Sequence, residues 1–258
     1  MMPAAVRSAG PCGCAIVVLA ACALLPLGAS PAEADEPAAP KPERNWSIEL
    51  AVGRSSGGPT ADIEDAMRVA GFDDAFEHGC CGDTSFPFTS GDYWSVWGAA
   101  RRKLGGERWQ VGVGFGWTGF DDVWGNRNVE GSPPESIVIH SEIEMLTIAP
   151  MAWFHPLRSL RFGAGPAMNH VDAFIGREHP EHYTDSSSWE PGLVVEAAVT
   201  APVASRFYFL ALLQYRWLQD GTVGPWQETA STGEVVVFPR ADVTLSHRFA
   251  AVGLGIRF

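Results

Sequence analysis

Trp109-Gln110-Val111-Gly112-Val113-Gly114-Phe115-Gly116-Trp117-Thr118 sets an apolar side chain at every odd position and a glycine or polar residue at every even one. Successive side chains of an extended strand point to opposite faces, so this spacing builds one greasy face and one lean face. A helix would scatter the same residues around its circumference. Two tryptophans bracket the greasy face. Eight steps of about 3.3 Å, tilted by about 40°, set them roughly 20 Å apart in height, close to the apolar band of about 25 Å that a membrane barrel shows to lipid.

The same period recurs along the chain. Trp46, Ile48, Leu50 and Val52 alternate with smaller or polar residues. So do Leu160 to Met168, Leu193 to Val199, Phe207 to Trp217, and Val252 to Phe258. Segments 92–103 and 139–154 are apolar but have no decided face. The pattern predicts eight strands over 46–54, 92–103, 108–118, 139–154, 159–171, 189–201, 206–218 and 243–258. Their connections take turns between short (104–107, 155–158, 202–205) and long (55–91, 119–138, 172–188, 219–242). This is the rhythm of an all-β, eight-stranded antiparallel up-and-down transmembrane β-barrel, with tight periplasmic turns and long external loops. An even strand count puts both termini on the periplasmic side. A soluble lipocalin-like barrel shares the alternation but turns its apolar face inward around a ligand. Here the lean face carries Gly112, Gly114, Gly116, Gly163, Gly165, Gly253 and Gly255, which suits the crowded interior of a narrow barrel.

Of 258 residues, 46% are apolar and 19% charged, which excludes a disordered chain. No apolar run long enough for a transmembrane helix follows the N-terminus. The net charge of −12 argues against nucleic acid as a partner. Residues 1–34 read as a signal peptide: Arg7 supplies the positive region, 15–27 the apolar core, and Ala32-Glu33-Ala34 the cleavage pattern. Leu19-Ala20-Ala21-Cys22 is similar to a lipoprotein processing box, a lesser reading because apolar sequence continues past Cys22. Residues 35–45 form a Pro-rich periplasmic leader, and 46–258 the barrel domain.

Ala251-Val252-Gly253-Leu254-Gly255-Ile256-Arg257-Phe258 ends on an aromatic, with apolar residues at alternate positions before it, and Val243-Thr244-Leu245-Ser246-His247 precedes it. This resembles the C-terminal signal of bacterial outer-membrane β-barrels. The pattern over 46–258 is similar to the small OmpA/OmpX/OmpW-type eight-stranded barrels. The resemblance implies a cell outer membrane location after signal-peptide-directed export. It implies contact with outer-membrane lipid and lipopolysaccharide, presentation of Phe258 to the assembly machinery, a monomer and no cofactor. The function it implies is structural, or surface interaction through the long loops. The alternative is a channel or binding barrel for small solutes, apolar ones included. A third is modification of lipid A, since deacylases and palmitoyltransferases share this architecture; catalysis is not the expectation.

The lean face offers Glu49, Arg102, Gln110, Arg161, Glu196, Gln214, Arg216 and Arg257. Charges in a narrow lumen must pair, so these are expected to close it as structural ion pairs, with a gated pore as the alternative. In the first external loop, residues 61–70 predict a short helix, capped by Thr60 or Asp62 and stopped by Gly71, with Ile63, Met67 and Ala70 on one face across the barrel mouth. His78-Gly79-Cys80-Cys81 and Glu178-His179-Pro180-Glu181-His182 make His78, Cys80, Cys81, His179 and His182 weak metal candidates. The first set lacks two further ligands at normal spacing, and Pro180 disfavours a helical pair in the second. Adjacent Cys80 and Cys81 are better suited to an oxidised pair in an exposed compartment. Asp73-Asp74 and Asp121-Asp122 have no calcium-loop spacing and read as solvated charge. His140-Ser141-Glu142 and Ser246-His247 set hydrolase residue types side by side, but strand neighbours face opposite ways and make no dyad. Loop 55–91 carries seven acids against one arginine, so the outer mouth is acidic and suited to cations or basic partners.

Overall fold

The computed structural model describes residues 45–74, 92–104, 108–131, 134–177 and 182–258. The signal peptide, the leader, His78, Cys80, Cys81 and His179 lie outside the described residues. The strands in chain order are β1 (Trp46–Gly57), β2 (Asp73–Asp74), β3 (Asp92–Leu104), β4 (Trp109–Val129), β5 (Glu135–Phe154), β6 (Leu160–Arg177) and β7 (His182–Pro202). They continue with β8 (Phe207–Leu218), β9 (Gly221–Val223), β10 (Trp226–Thr229), β11 (Val235–Phe238), β12 (Ala241–Val243) and β13 (His247–Arg257). One helix, α1 (Thr60–Val69), follows β1.

Among the described residues, eight long strands close into a ring in the order β1-β3-β4-β5-β6-β7-β8-β13, each antiparallel to both neighbours. The first and last strands form the seam, and Trp46 and Phe258 exchange backbone hydrogen bonds of 3.3 and 2.9 Å across it. A ring has no free edge, so backbone groups at membrane depth are satisfied within the sheet, as hydrocarbon demands. Outside, the exposed large residues form a belt. Trp46, Trp109, Phe207 and Phe258 lie along the short-turn rim, and Trp94, Trp117, Trp189, Tyr215 and Trp217 along the other. Between them lie Ile48, Leu50, Phe115, Ile148, Leu213, Val252 and Leu254. Apolar surface flanked by aromatic girdles is the solvation pattern of a barrel in lipid. The chain is a transmembrane β-barrel.

The lean face points inward as expected in β1, β4, β6, β7, β8 and β13. In β3, Tyr93, Ser95, Trp97, Ala99 and Arg101 are buried, so Arg101 occupies the lumen and Arg102 does not. Arg102 lies on the outside with its guanidinium 5.6 Å from the Trp46 ring centroid. The expectation for Arg102 is therefore corrected. Its strand offers aromatics and small residues to both faces, and the register with β1 decides the matter.

The external connections are shorter than the alternation predicted. Most of 119–138 and 172–188 is strand, because β4–β5 and β6–β7 continue as hairpins beyond the belt. A bulge between Phe120 and Val123 shifts the register of β4, so the inward residues change from even to odd positions, and this hid the strand from a period-two reading. Above the belt the hairpins turn Val123, Val129, Ile137, Ile139, Val171 and Ile175 inward onto a second hydrophobic core.

Helix α1 lies on that core through Ile63 and Met67. Its end is a Schellman motif: Gly71 adopts φ +82°, the Phe72 amide donates to Met67 O at 2.9 Å, and the Gly71 amide donates to Arg68 O at 3.1 Å. The start differs from expectation. Pro59 precedes the first turn with no side-chain cap; Thr60 is buried, and Asp62 instead accepts the Thr244 amide at 2.6 Å, tying α1 to the segment before β13. The β10–β11 hairpin adds Trp226, Val236 and Phe238 to the core.

Val113 sits half-way between Trp109 and Trp117 on the lipid-facing side, so Val113→Arg is expected to destabilise the inserted barrel by about 2–4 kcal/mol in urea titrations followed by tryptophan fluorescence. A Cβ at Gly114 would collide with the Trp97 ring, so Gly114→Trp is expected to cost about 1–3 kcal/mol or more in the same assay. A silent Val113→Arg beside a damaging Gly114→Arg would mean the faces are reversed.

Candidate functional site

In the lumen, several of the largest inward residues are set against the smallest. Trp97 stands opposite Gly116, Trp153 opposite Gly163, and Tyr208 opposite Gly255. At Gly114, Gly163 and Gly255 an added Cβ would strike the rings of Trp97, Trp153 and Tyr208 respectively. The glycines let aromatic rings lie across the narrow interior, an aromatic-over-glycine pairing that also pins register.

A polar network fills the level near the short turns. The Glu49 carboxylate accepts two hydrogen bonds of 2.6 Å from the Arg161 guanidinium, one on each oxygen. It also accepts the Tyr208 hydroxyl at 2.6 Å and a bond from Arg101 Nη2. Arg161 reaches Glu196 with its Nε at 2.8 Å, so one guanidinium bridges carboxylates on β1 and β7 across the barrel. Glu196 further accepts Trp153 Nε1 at 3.1 Å and Gln214 Nε2 at 3.0 Å. These groups are almost entirely buried, where a bidentate arginine–carboxylate pair with its other lone pairs satisfied offsets its desolvation.

Higher up, Arg216 is fully buried and makes no ion pair within the distance of a salt bridge among the described residues. It donates to Thr118 Oγ1 at 3.0 Å and to Gln214 Oε1 at 3.3 Å, and its guanidinium lies 5.0 Å from the Trp97 ring centroid and 5.2 Å from that of Phe249. Cation–π contact on two rings holds this charge.

Of the sequence-predicted interior residues, Glu49, Arg161, Glu196, Gln214 and Arg216 come together in the lumen. Gln110 is half-buried near the short-turn rim, and Arg257 is exposed there with its guanidinium 4.6 Å from the Tyr208 ring centroid. Arg101, Trp97 and Trp153 were not anticipated, because the facing of their strands was undecided. Tyr208 stood on the lean face of a regular strand, and its alternation was the available signal.

The other candidates do not assemble. His182 faces Glu228 at 3.6 Å and the Trp226 ring at 5.7 Å. No group of three or more His, Cys, Asp or Glu side chains among the described residues is placed to hold a metal ion. His140 stacks on Trp124 outside while Ser141 is buried inside, and the Ser246 hydroxyl donates to Leu218 O while His247 turns inward.

Above the network the second core lies across the outer mouth. A void of about 10 Å³ at the edge of this core, lined by Ile143, Val171, Ser186, Ser188, Val243 and Leu245, holds at most about one water. Removing the Glu49 carboxylate would leave Arg101 and Arg161 buried without it. Glu49→Ala is therefore expected to cost about 3–5 kcal/mol, whereas the double replacement of Glu49 and Arg161 by methionine should cost markedly less; urea midpoints of the folded barrel check both.

No protein-family model matches the chain, and no curated protein matches it. Among solved structures, the chain is similar to Neisserial surface protein A at 12% identity, covering 83% of this chain and 97% of that one, with a TM-score of 0.41. It is similar to Ail, the attachment invasion locus protein of Yersinia pestis, at 11% identity over 83% and 99% of the two chains, with a TM-score of 0.38. It is also similar to the outer membrane protein OprG of Pseudomonas aeruginosa, at 11% identity over 83% and 97%, with a TM-score of 0.43.

Proposed function

We propose that this chain is a closed outer-membrane barrel that acts at the cell surface through the segments it holds above the bilayer, and that it does not conduct solutes. Even-stranded antiparallel barrels with aromatic girdles are the transmembrane architecture of bacterial outer membranes. The observation that carries the closed reading is the filled lumen: a paired polar network at one level, Arg216 between two rings above it, and an apolar core across the outer mouth. Eight strands leave room for side chains and little else. Over its hairpins the external surface is paired strand rather than loop, and it exposes Glu130, Glu142, Glu144, Asp172, Asp185, Asp220 and Asp242. Such a surface favours basic or cation-bridged partners.

The same proposal takes residues 1–34 as the export signal, 35–45 as a leader, Phe258 as the residue presented to the assembly machinery, and the barrel as a monomer amid lipid and lipopolysaccharide. In planar bilayers the purified chain is expected to show no stable single-channel openings. Discrete, reproducible conductance steps would favour the channel reading instead.

A further inference from the structure

Two arginines stand on the lipid-facing wall, and the strand registers fix their depth. The cross-strand row that starts at Trp109 on the short-turn rim climbs around the barrel through Phe154, Ala197, Leu213 and Ala250. It reaches Arg54 on β1 and Trp94 on β3. Ser95, next to Trp94, pairs with Thr118, next to Trp117, so Arg54 stands at the level of the outer aromatic girdle. Arg248 on β13 pairs with Ser56 on β1 and with Tyr215 on β8. It shares the outer face with Arg54 and lies diagonal to it, two residues from Ala250. We propose that Arg248, with Arg54, Ser56 and Tyr215, binds the phosphomonoester headgroup of a lipid in the outer leaflet.

The geometry supplies the contacts. An open recess of about 250 Å³ is bounded by Ser56, Gly57, Tyr215, Ser246, His247 and Arg248. Arg248, Ser56 and Tyr215 are exposed there, and among the described residues their side chains make no hydrogen bond or ion pair. One guanidinium and two hydroxyls are therefore left to donate into the recess. The Ser246 hydroxyl is held by the Leu218 backbone, at 3.0 Å from its amide and 3.2 Å from its carbonyl, and only shapes the recess. A guanidinium is a planar fork of donors that fits phosphate oxygens. Arg54 adds a second positive charge on the diagonal, its guanidinium 5.6 Å from the Trp94 ring centroid. A pair of positive charges matches a phosphomonoester, which carries close to two negative charges at neutral pH; a phosphodiester carries one.

Depth and charge name the ligand as a lipid. Arginine on the outer wall of a barrel is costly at mid-membrane and tolerated near the interface, where lipid headgroups lie. Below Arg248 the wall is apolar: Ala250 lies between Leu213 and Arg54, and Val52 pairs with Val252 one row down. Exposed Val52, Leu213 and Val252 form a strip for the acyl chain of a lipid whose headgroup sits in the recess. Elsewhere the wall does not suit a phosphate. Beyond the belt, the outer faces of β5, β6 and β7 carry Glu142, Glu144, Asp172 and Asp185. Among the described residues no other basic side chain stands on the outer half of the lipid-facing wall.

The site needs the belt to lie in lipid, which flotation of the folded chain with vesicles checks separately; it does not need a closed lumen. Binding is read by native mass spectrometry of the folded full chain in detergent, titrated with diphosphoryl lipid A or with phosphatidylglycerol, a diester. One diphosphoryl lipid A should bind per barrel, more tightly than phosphatidylglycerol. Loss of a charge-assisted hydrogen bond weakens binding about 10-fold or more, so Arg248→Gln should lower the affinity for diphosphoryl lipid A by that factor. Adding Arg54→Gln should lower it further, and Arg248→Lys should keep part of it. Arg102→Gln, on the opposite rim, should bind as wild type does. Equimolar inorganic phosphate should leave the lipid in place, because the apolar strip is part of the site. These side chains all lie on the outside, so the variants should keep heat-modifiable migration, which separates lost binding from lost fold. Three results would overturn the proposal: equal affinity of wild type and the double variant in folded barrel, affinity for phosphatidylglycerol as high as for diphosphoryl lipid A, or displacement of the lipid by equimolar inorganic phosphate.

Discussion

An eight-stranded ring is barely wider than the side chains it must hold. Three of the largest rings in this lumen consequently face glycine. Trp97, Trp153 and Tyr208 lie over glycines, and their rings take the space that a Cβ would have filled. Charges in such an interior must be paired, and Glu49 and Glu196 are met by Arg161 through one guanidinium, with Arg101, Tyr208, Trp153 and Gln214 supplying further donors. Arg216, which has no salt-bridge partner among the described residues, is held between aromatic faces instead. Lumen polarity here serves closure.

Closure in turn moves function outward. Inside is a packed core, and above the belt the hairpins continue as strands, roofed by α1 and β10–β11 over a second core. The surfaces left to meet other molecules are the acidic external face and the flank that touches lipid.

Much of this was legible in the sequence, and for identifiable reasons. Period two reports facing wherever one side is solvated by lipid and the other is crowded, as in 109–118 or 252–258. The alternation of tight and long connections gave the strand count, and Ile63, Met67 and Gly71 marked the external helix. Facing was illegible in β3, where Arg101 and Arg102 are adjacent and both faces carry aromatics; only pairing with β1 separates them. Strand length was illegible above the belt because the bulge at Phe120–Val123 breaks the period, and because the outer face there meets water rather than lipid. The Glu49–Arg161 pair joins β1 and β6, 112 positions apart, and barrel closure and register, which no local pattern encodes, create it.

The claim beneath all of this is that lipid solvates the outer face while the lumen stays packed and dry. Single-tryptophan variants retaining either Trp109 or Trp97, placed in bilayers with brominated acyl chains, test it directly. Trp109 fluorescence should be strongly quenched by the brominated lipid, and Trp97 should respond neither to the lipid nor to aqueous iodide. Quenching of Trp97 by iodide, or an unquenched Trp109 in folded, inserted barrel, would contradict the account.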